Sequence, residues 1–184
     1  IKTLKIDGAV PDGLSQQFPS VASLVCMYTY FNLNEFQYLE TLKINGDPFL
    51  SAFSFPLTVK DLTLDKCDSL HDQPFPFEGI RLEKLTLNNY VHRRWLSEYL
   101  ERPETRLKEL TLNLFNELHD YRLRKALFEN SWKIAKLEVR NREKKLIKNF
   151  DVETLRATAH EYDESNFPLA VKYLTSELYD ACNH

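Results

Sequence analysis

The alternation of apolar and polar residues along the chain keeps returning to one figure: an aliphatic residue, two variable ones, a leucine, one variable residue and usually another apolar one. It stands at residues 1–6 (IKTLKI), 21–26 (VASLVC), 39–44 (LETLKI), 59–64 (VKDLTL), 82–87 (LEKLTL), 107–112 (LKELTL), 134–139 (IAKLEV), 152–157 (VETLRA) and 171–176 (VKYLTS). The central leucines are Leu4, Leu24, Leu42, Leu62, Leu85, Leu110, Leu137, Leu155 and Leu174, spaced 20, 18, 20, 23, 25, 27, 18 and 19 residues apart. Apolar residues two apart, within a run this short, predict a strand with one face buried. Each figure is therefore read as one strand of a repeating unit.

One unit could bury only three or four aliphatic side chains, each contributing roughly 1.5–3 kcal/mol, against an ordering cost of about 1–2 kcal/mol for every residue of its backbone. No unit folds alone. Stacking merges the aliphatic positions into one core and pairs the strands in parallel. The uneven intervals indicate what lies on the outer side. Residues 45–57, with Pro48, Pro56 and Gly46, read as loop with Phe49, Phe53 and Phe55 turned inward. The two longest intervals hold apolar residues at helical spacing: residues 92–100, stopped by Pro103 and burying Trp95, Leu96, Tyr99 and Leu100, and residues 117–128, burying Leu118, Tyr121 and the run from Leu123 to Leu127. At the end, FPLAVKYLTSE from Phe167 repeats FPLTVKDLTLD from Phe55, and ETLRA from Glu153 repeats ETLKI from Glu40. Strands are expected near Leu155 and Leu174, with a helix over 169–181 as the alternative to the latter.

This register resembles the leucine-rich repeat family over nearly the whole chain. The resemblance implies an α/β fold, a leucine-rich repeat solenoid with a curved parallel sheet on its concave face and mixed loops and short helices on its convex face. Residues 1–184 are expected to form one domain of about nine irregular repeats. Because the first repeat has no polar cap ahead of Ile1, a fragment of a longer chain is expected, with an N-terminal module ahead of it.

Period two places the residues before, between and after each pair of core side chains on the concave surface. The row before the leucine reads Thr3, Ser23, Thr41, Asp61, Lys84, Glu109, Lys136, Thr154, Tyr173. Its signs alternate from Asp61 to Lys136, which allows lateral ion pairs between neighbouring strands. The middle row reads Lys5, Val25, Lys43, Thr63, Thr86, Thr111, Glu138, Arg156, Thr175, and the third Asp7, Met27, Asn45, Asp65, Asn88, Asn113, Arg140, Thr158, Glu177. The resemblance implies a protein partner on this face. The candidate contacts are Lys43, Thr63, Asp65, Lys84, Thr86, Asn88, Glu109, Thr111, Asn113, Glu138, Arg140 and Arg156. Thr86 and Thr111 are expected to be open positions where arginine blocks a partner without entering the core. Competing readings make the threonines strand formers and the asparagines turn residues. The basic run Arg140, Arg142, Lys144, Lys145 and Lys148 reads as a solvated loop or a holder of an acidic or phosphorylated segment.

A net charge of −3 with pI near 6.0 lacks the clustered basic excess of nucleic-acid or acidic-membrane binding, so neither is expected as a partner. Cys26, Cys67 and Cys182 are odd in number and far apart, unlike a disulfide framework. Together with the absence of a glycosylation sequon, they point to the cytoplasm or nucleus. There is no run of apolar residues long enough for a membrane span. HExxH, GxSxG and glycine-rich phosphate loops are all missing from the sequence. Cys67 and His71 offer two ligands where zinc needs three or four. No catalytic residue, cofactor or metal is assigned, and an enzyme or enzyme activator is the least favoured reading.

Residues 62–70 (LTLDKCDSL) resemble the cysteine-containing repeat of F-box leucine-rich proteins. That resemblance implies a non-catalytic protein–protein interaction domain, the substrate-recognition array of a ubiquitin ligase receptor, reaching a ligase adaptor through the N-terminal module. The alternative is a structural scaffold subunit of a nuclear or cytoskeletal assembly, docked through Val25, Met27, Tyr28, Tyr30 and Phe31.

Overall fold

A computed structural model of the chain describes residues 1–9, 13–28, 33–46, 55–66, 79–88, 93–113, 126–127, 129–140 and 146–151. The fold is α/β, rich in parallel strands and sparing in helix, and it divides into two compact units, residues 1–92 and 93–184.

In the first unit, β1 (Thr3–Ala9), β2 (Ser23–Tyr28), β3 (Thr41–Asn45), β4 (Asp61–Asp65) and β5 (Lys84–Asn88) lie side by side in chain order. Each is parallel to the next, with Leu4, Leu24, Leu42, Leu62 and Leu85 in one register line. The backbone makes this register repeat. The carbonyl two residues before each central leucine accepts two N–H groups of the following repeat: Lys2 from Ala22 and Ser23, Ala22 from Glu40 and Thr41, Glu40 from Lys60 and Asp61, and Lys60 from Glu83 and Lys84, all at 2.7–3.0 Å. A slip by one residue would break each fork and turn the leucines to solvent.

Three buried columns follow: Val21, Leu39, Val59 and Leu82; Leu24, Leu42, Leu62 and Leu85; and Cys26, Ile44, Leu64 and Leu87. In β1 the corresponding Leu4 and Ile6 are only half-buried; among the described strands β1 has a neighbour on one side alone. The connecting segments repeat as well. The amides of Val21, Leu39 and Val59 close turns on the carbonyls of Phe18, Phe36 and Pro56. Thr58 Oγ1 donates to the Leu39 carbonyl at 2.7 Å, and Ser15 Oγ, from the short helix α1 (Leu14–Gln17), donates to Glu35 Oε2 at 2.7 Å. Phe55 is buried as expected, while Phe49 and Phe53 lie outside the described residues.

The second unit opens with helix α2 (Arg93–Glu101), at the place the spacing predicts, burying Leu96, Tyr99 and Leu100. Strands β6 (Glu109–Asn113) and β7 (Lys136–Arg140) pair in parallel with Leu110 opposite Leu137. Of the second predicted helix only Ala126 and Leu127 are described, both buried and helical.

One strand was not anticipated. β8 (Leu146–Asp151) runs antiparallel to β7, from Lys136 opposite Asp151 to Arg140 opposite Leu146. The end of the basic run, Leu146 to Lys148, is therefore strand rather than solvated loop. Its Leu-Ile pair supplies strand propensity that the charge count concealed. β8 also takes the edge of β7 where a parallel strand near Leu155 was expected to pair; residues 152–184, including the expected strands at Leu155 and Leu174, lie outside the described residues. Among the described residues no helix is long and apolar enough to cross a membrane.

Truncating a central leucine should leave a cavity flanked by its neighbours in the column. Leu85→Ala, at a site 3% exposed, and Leu110→Ala, at one 0% exposed, are each expected to cost about 2–5 kcal/mol in urea unfolding. A loss under about 1 kcal/mol at both would contradict the column packing.

Candidate protein-binding face

Within a pleated strand the side chains between the core positions must point away from the columns, and the parallel register sets them in rows about 4.8 Å apart. In the first unit the rows are Thr3, Ser23, Thr41, Asp61 and Lys84, and Lys5, Val25, Lys43, Thr63 and Thr86. Lys43 and Lys84 are exposed, Thr63 and Thr86 half-buried. These four predicted contacts are thus brought together on one solvent-reached surface. In the second unit Glu109 is half-buried and its carboxylate lies 3.9 Å from Lys136 Nζ, the lateral pairing that the alternating signs predict.

Asp65 and Asn88, expected on the exposed face, are instead 9% and 7% exposed. They end their strands at the corner where the chain leaves the sheet. Gly46 (φ +116°) and Lys66 (φ +55°) turn there in left-handed conformation, and their amides donate to the carbonyls of Asp65 and Asn88 at 2.7 and 3.4 Å. Alternation governs the pleat and fails at such a corner. Lys66 adopts this conformation at a cost that glycine avoids.

Thr111 and Glu138, opposite each other on β6 and β7, are each 6% exposed, and Glu138 forms an ion pair with Lys136. The expectation that Thr111 is an open position is corrected: arginine there would have to displace packed atoms, so it reports on stability before binding. Asn113 and Arg140 are register partners on β6 and β7. Arg156, Cys67 and His71 lie outside the described residues.

Two features lie outside the rows. Lys60 Nζ donates to Glu40 Oε1 at 3.0 Å, one position before the rows, and this hydrogen bond and charge hold the ammonium above the usual lysine range, with Glu83 adding to the effect. The signal was present as Glu40, Lys60 and Glu83 two residues before successive leucines. The other feature is Lys133, 6% exposed, whose Nζ donates to the carbonyls of Leu100 (2.6 Å) and Arg102 (2.9 Å). It closes the C-terminal end of α2 together with Thr105 Oγ1, which donates to the Tyr99 carbonyl at 2.5 Å. A cation suits the negative end of a helix dipole. Burial, then the nearby Arg106, lowers its pKa, opposed by Glu104 and Glu101. The Arg106 guanidinium lies 4.5 Å from the centre of the half-exposed Trp132 ring, a contact typically contributing about 0.5–1 kcal/mol.

No protein-family model, curated protein or solved structure matches the chain. Chemical capability is therefore read from the side chains. The Cys26 thiol, 1% exposed, is pushed up to about 12 by burial, so it is a core hydrophobe rather than a nucleophile. The rows offer hydroxyls, ammonium groups and some apolar surface.

Lys133→Met should leave two helix-end carbonyls without their donor. A loss of about 1–3 kcal/mol is expected, with faster amide exchange in the last turn of α2 than in β2 or β3. Unchanged exchange there would mean that Lys133 does not secure the helix.

Proposed function

We propose that this chain is a leucine-rich repeat solenoid acting as a non-catalytic protein-binding domain, with the strand face as its recognition surface. The observation that carries the reading is the register of the first unit, which runs without a shift from β2 to β5. Five parallel strands set Lys43, Thr63 and Thr86 in one straight row beside Asp61 and Lys84, on the side opposite the buried columns. Lys43, Thr63 and Thr86 lie outside the buried columns, so a partner can contact them without disturbing the core. The threonine hydroxyls can donate to and accept from a polypeptide backbone, and the lysines add charge selection.

The narrower form makes the partner a substrate presented for ubiquitination, as in F-box type receptors, with a ligase adaptor as a further partner. It rests on the likeness of residues 62–70, of which 67–70 lie outside the described residues. The scaffold reading is supported by Met27, 36% exposed on β2 with Val25 beside it.

A photo-crosslinking residue at Thr86 should capture a protein partner, while one at Leu57, 68% exposed on a connecting segment, should not. With that partner in hand, Thr86→Arg is expected to weaken binding by about tenfold or more while shifting Tm by no more than a few degrees. Unchanged affinity would move recognition off the strand face. For the ligase form, depletion of the protein should lengthen the partner's half-life in cells; an unchanged half-life favours the scaffold.

A further inference from the structure

On β2, Val25 and Met27 lie two residues apart on the same side of the strand, and Met27 is exposed by 36%. The other exposed large hydrophobics among the described residues, Ile1, Tyr38, Leu57 and Trp132, all fall outside the strands. Methionine is flexible and polarizable, suited to packing against apolar side chains of differing shape. Lys5 and Lys43 flank Val25 at one strand spacing on either side. They differ in one respect. Lys5 Nζ lies 3.6 Å from Asp7 Oδ1 on its own strand, whereas the exposed Lys43 ammonium makes no hydrogen bond or ion pair with any described residue. The surface across β1, β2 and β3 thus runs from an ion pair, through an apolar strip, to a cation unpaired among the described residues.

We infer that this strip takes a polypeptide segment carrying an apolar side chain beside a carboxylate, the apolar group on Val25 and Met27 and the carboxylate on Lys43. The inference rests on the strand face being the binding surface and adds the partner's chemistry and its direction. An apolar anchor removes the exposed methionine from water without a polar group to desolvate. A carboxylate next to it gains a charge-assisted hydrogen bond from an ammonium that gives up no partner among the described residues. Toward β1 the Lys5 ammonium beside Val25 already has a carboxylate, exposed Asp7, 3.6 Å away, so an acidic group placed there competes with a like charge. The segment is therefore read in one sense across the sheet: apolar residue over β2, acid toward β3. Neighbouring strands are about 4.8 Å apart and same-side residues of an extended peptide about 6.8 Å, so the acid falls within about two residues of the anchor.

The test is selection from a display library of random peptides against the full chain, followed by titration of the enriched synthetic peptides. Enrichment of Asp or Glu within two residues of Leu, Ile, Met or Phe is expected. Lys43→Glu should weaken those peptides by about tenfold and redirect selection toward Lys and Arg, and Met27→Ser should weaken them comparably. Binding to the unaltered chain should also fall with added salt. Both positions are exposed, so circular dichroism and Tm should be unchanged. Enriched peptides without an acid, or peptides indifferent to Lys43→Glu, overturn the inference. If such peptides still lose affinity with Thr86→Arg, the strand-face reading stands while this one falls. If no selected peptide responds to any of the three substitutions, both fall.

Discussion

The forked hydrogen bond at the start of each strand is the constraint on which the first unit depends. One carbonyl, two residues ahead of a central leucine, holds two successive amides of the next repeat, and the pattern recurs from Lys2 to Lys84. Hydrogen bonds of this kind contribute only about 0.5–1.5 kcal/mol each in net terms. Their importance is geometric, because they fix the register at which leucine meets leucine and so align the buried aliphatic columns. The columns supply the stabilisation and the forks supply the uniqueness.

From that register the surface follows without further choice. If core side chains form straight columns, the residues between them form straight rows on the other side of the sheet, whatever their identity. Evolution of those residues is then free of the core, and the face can hold hydroxyls, lysines and an exposed methionine at little cost in stability. The cross-repeat contacts Ser15 to Glu35, Thr58 to Leu39 and Lys60 to Glu40 extend the same stacking to the connecting segments. They bind neighbour to neighbour, as expected where each unit gains its stability from adjacent ones.

The second unit obeys the same rule with different means. Its longer intervals carry helix, and a helix end must satisfy its last carbonyls. The chain does so from 33 residues away, with the Lys133 ammonium on the Leu100 carbonyl. The desolvation that lowers the lysine's pKa is offset by two carbonyl acceptors and the helix dipole. A charged side chain thus acts as an internal fastener, while Arg106 and Trp132 stack at the exposed surface beside it.

The amino-acid order alone determined the strands at Leu4, Leu24, Leu42, Leu62 and Leu85 and those at Leu110 and Leu137, their parallel register within each unit and the helix ending before Pro103, because local periodicity and backbone chemistry are written in neighbouring residues. It also placed Lys43, Thr63, Thr86 and Lys84 on an open face. The fold alone buried Asp65, Asn88, Thr111 and Glu138, placed Lys133 under a helix and laid β8 against β7. In each of these the deciding atoms come from residues distant in sequence, or from a corner where the pleat ends. Alternation names the face on which a side chain emerges; what packs over that face is settled by the arrangement of the whole chain.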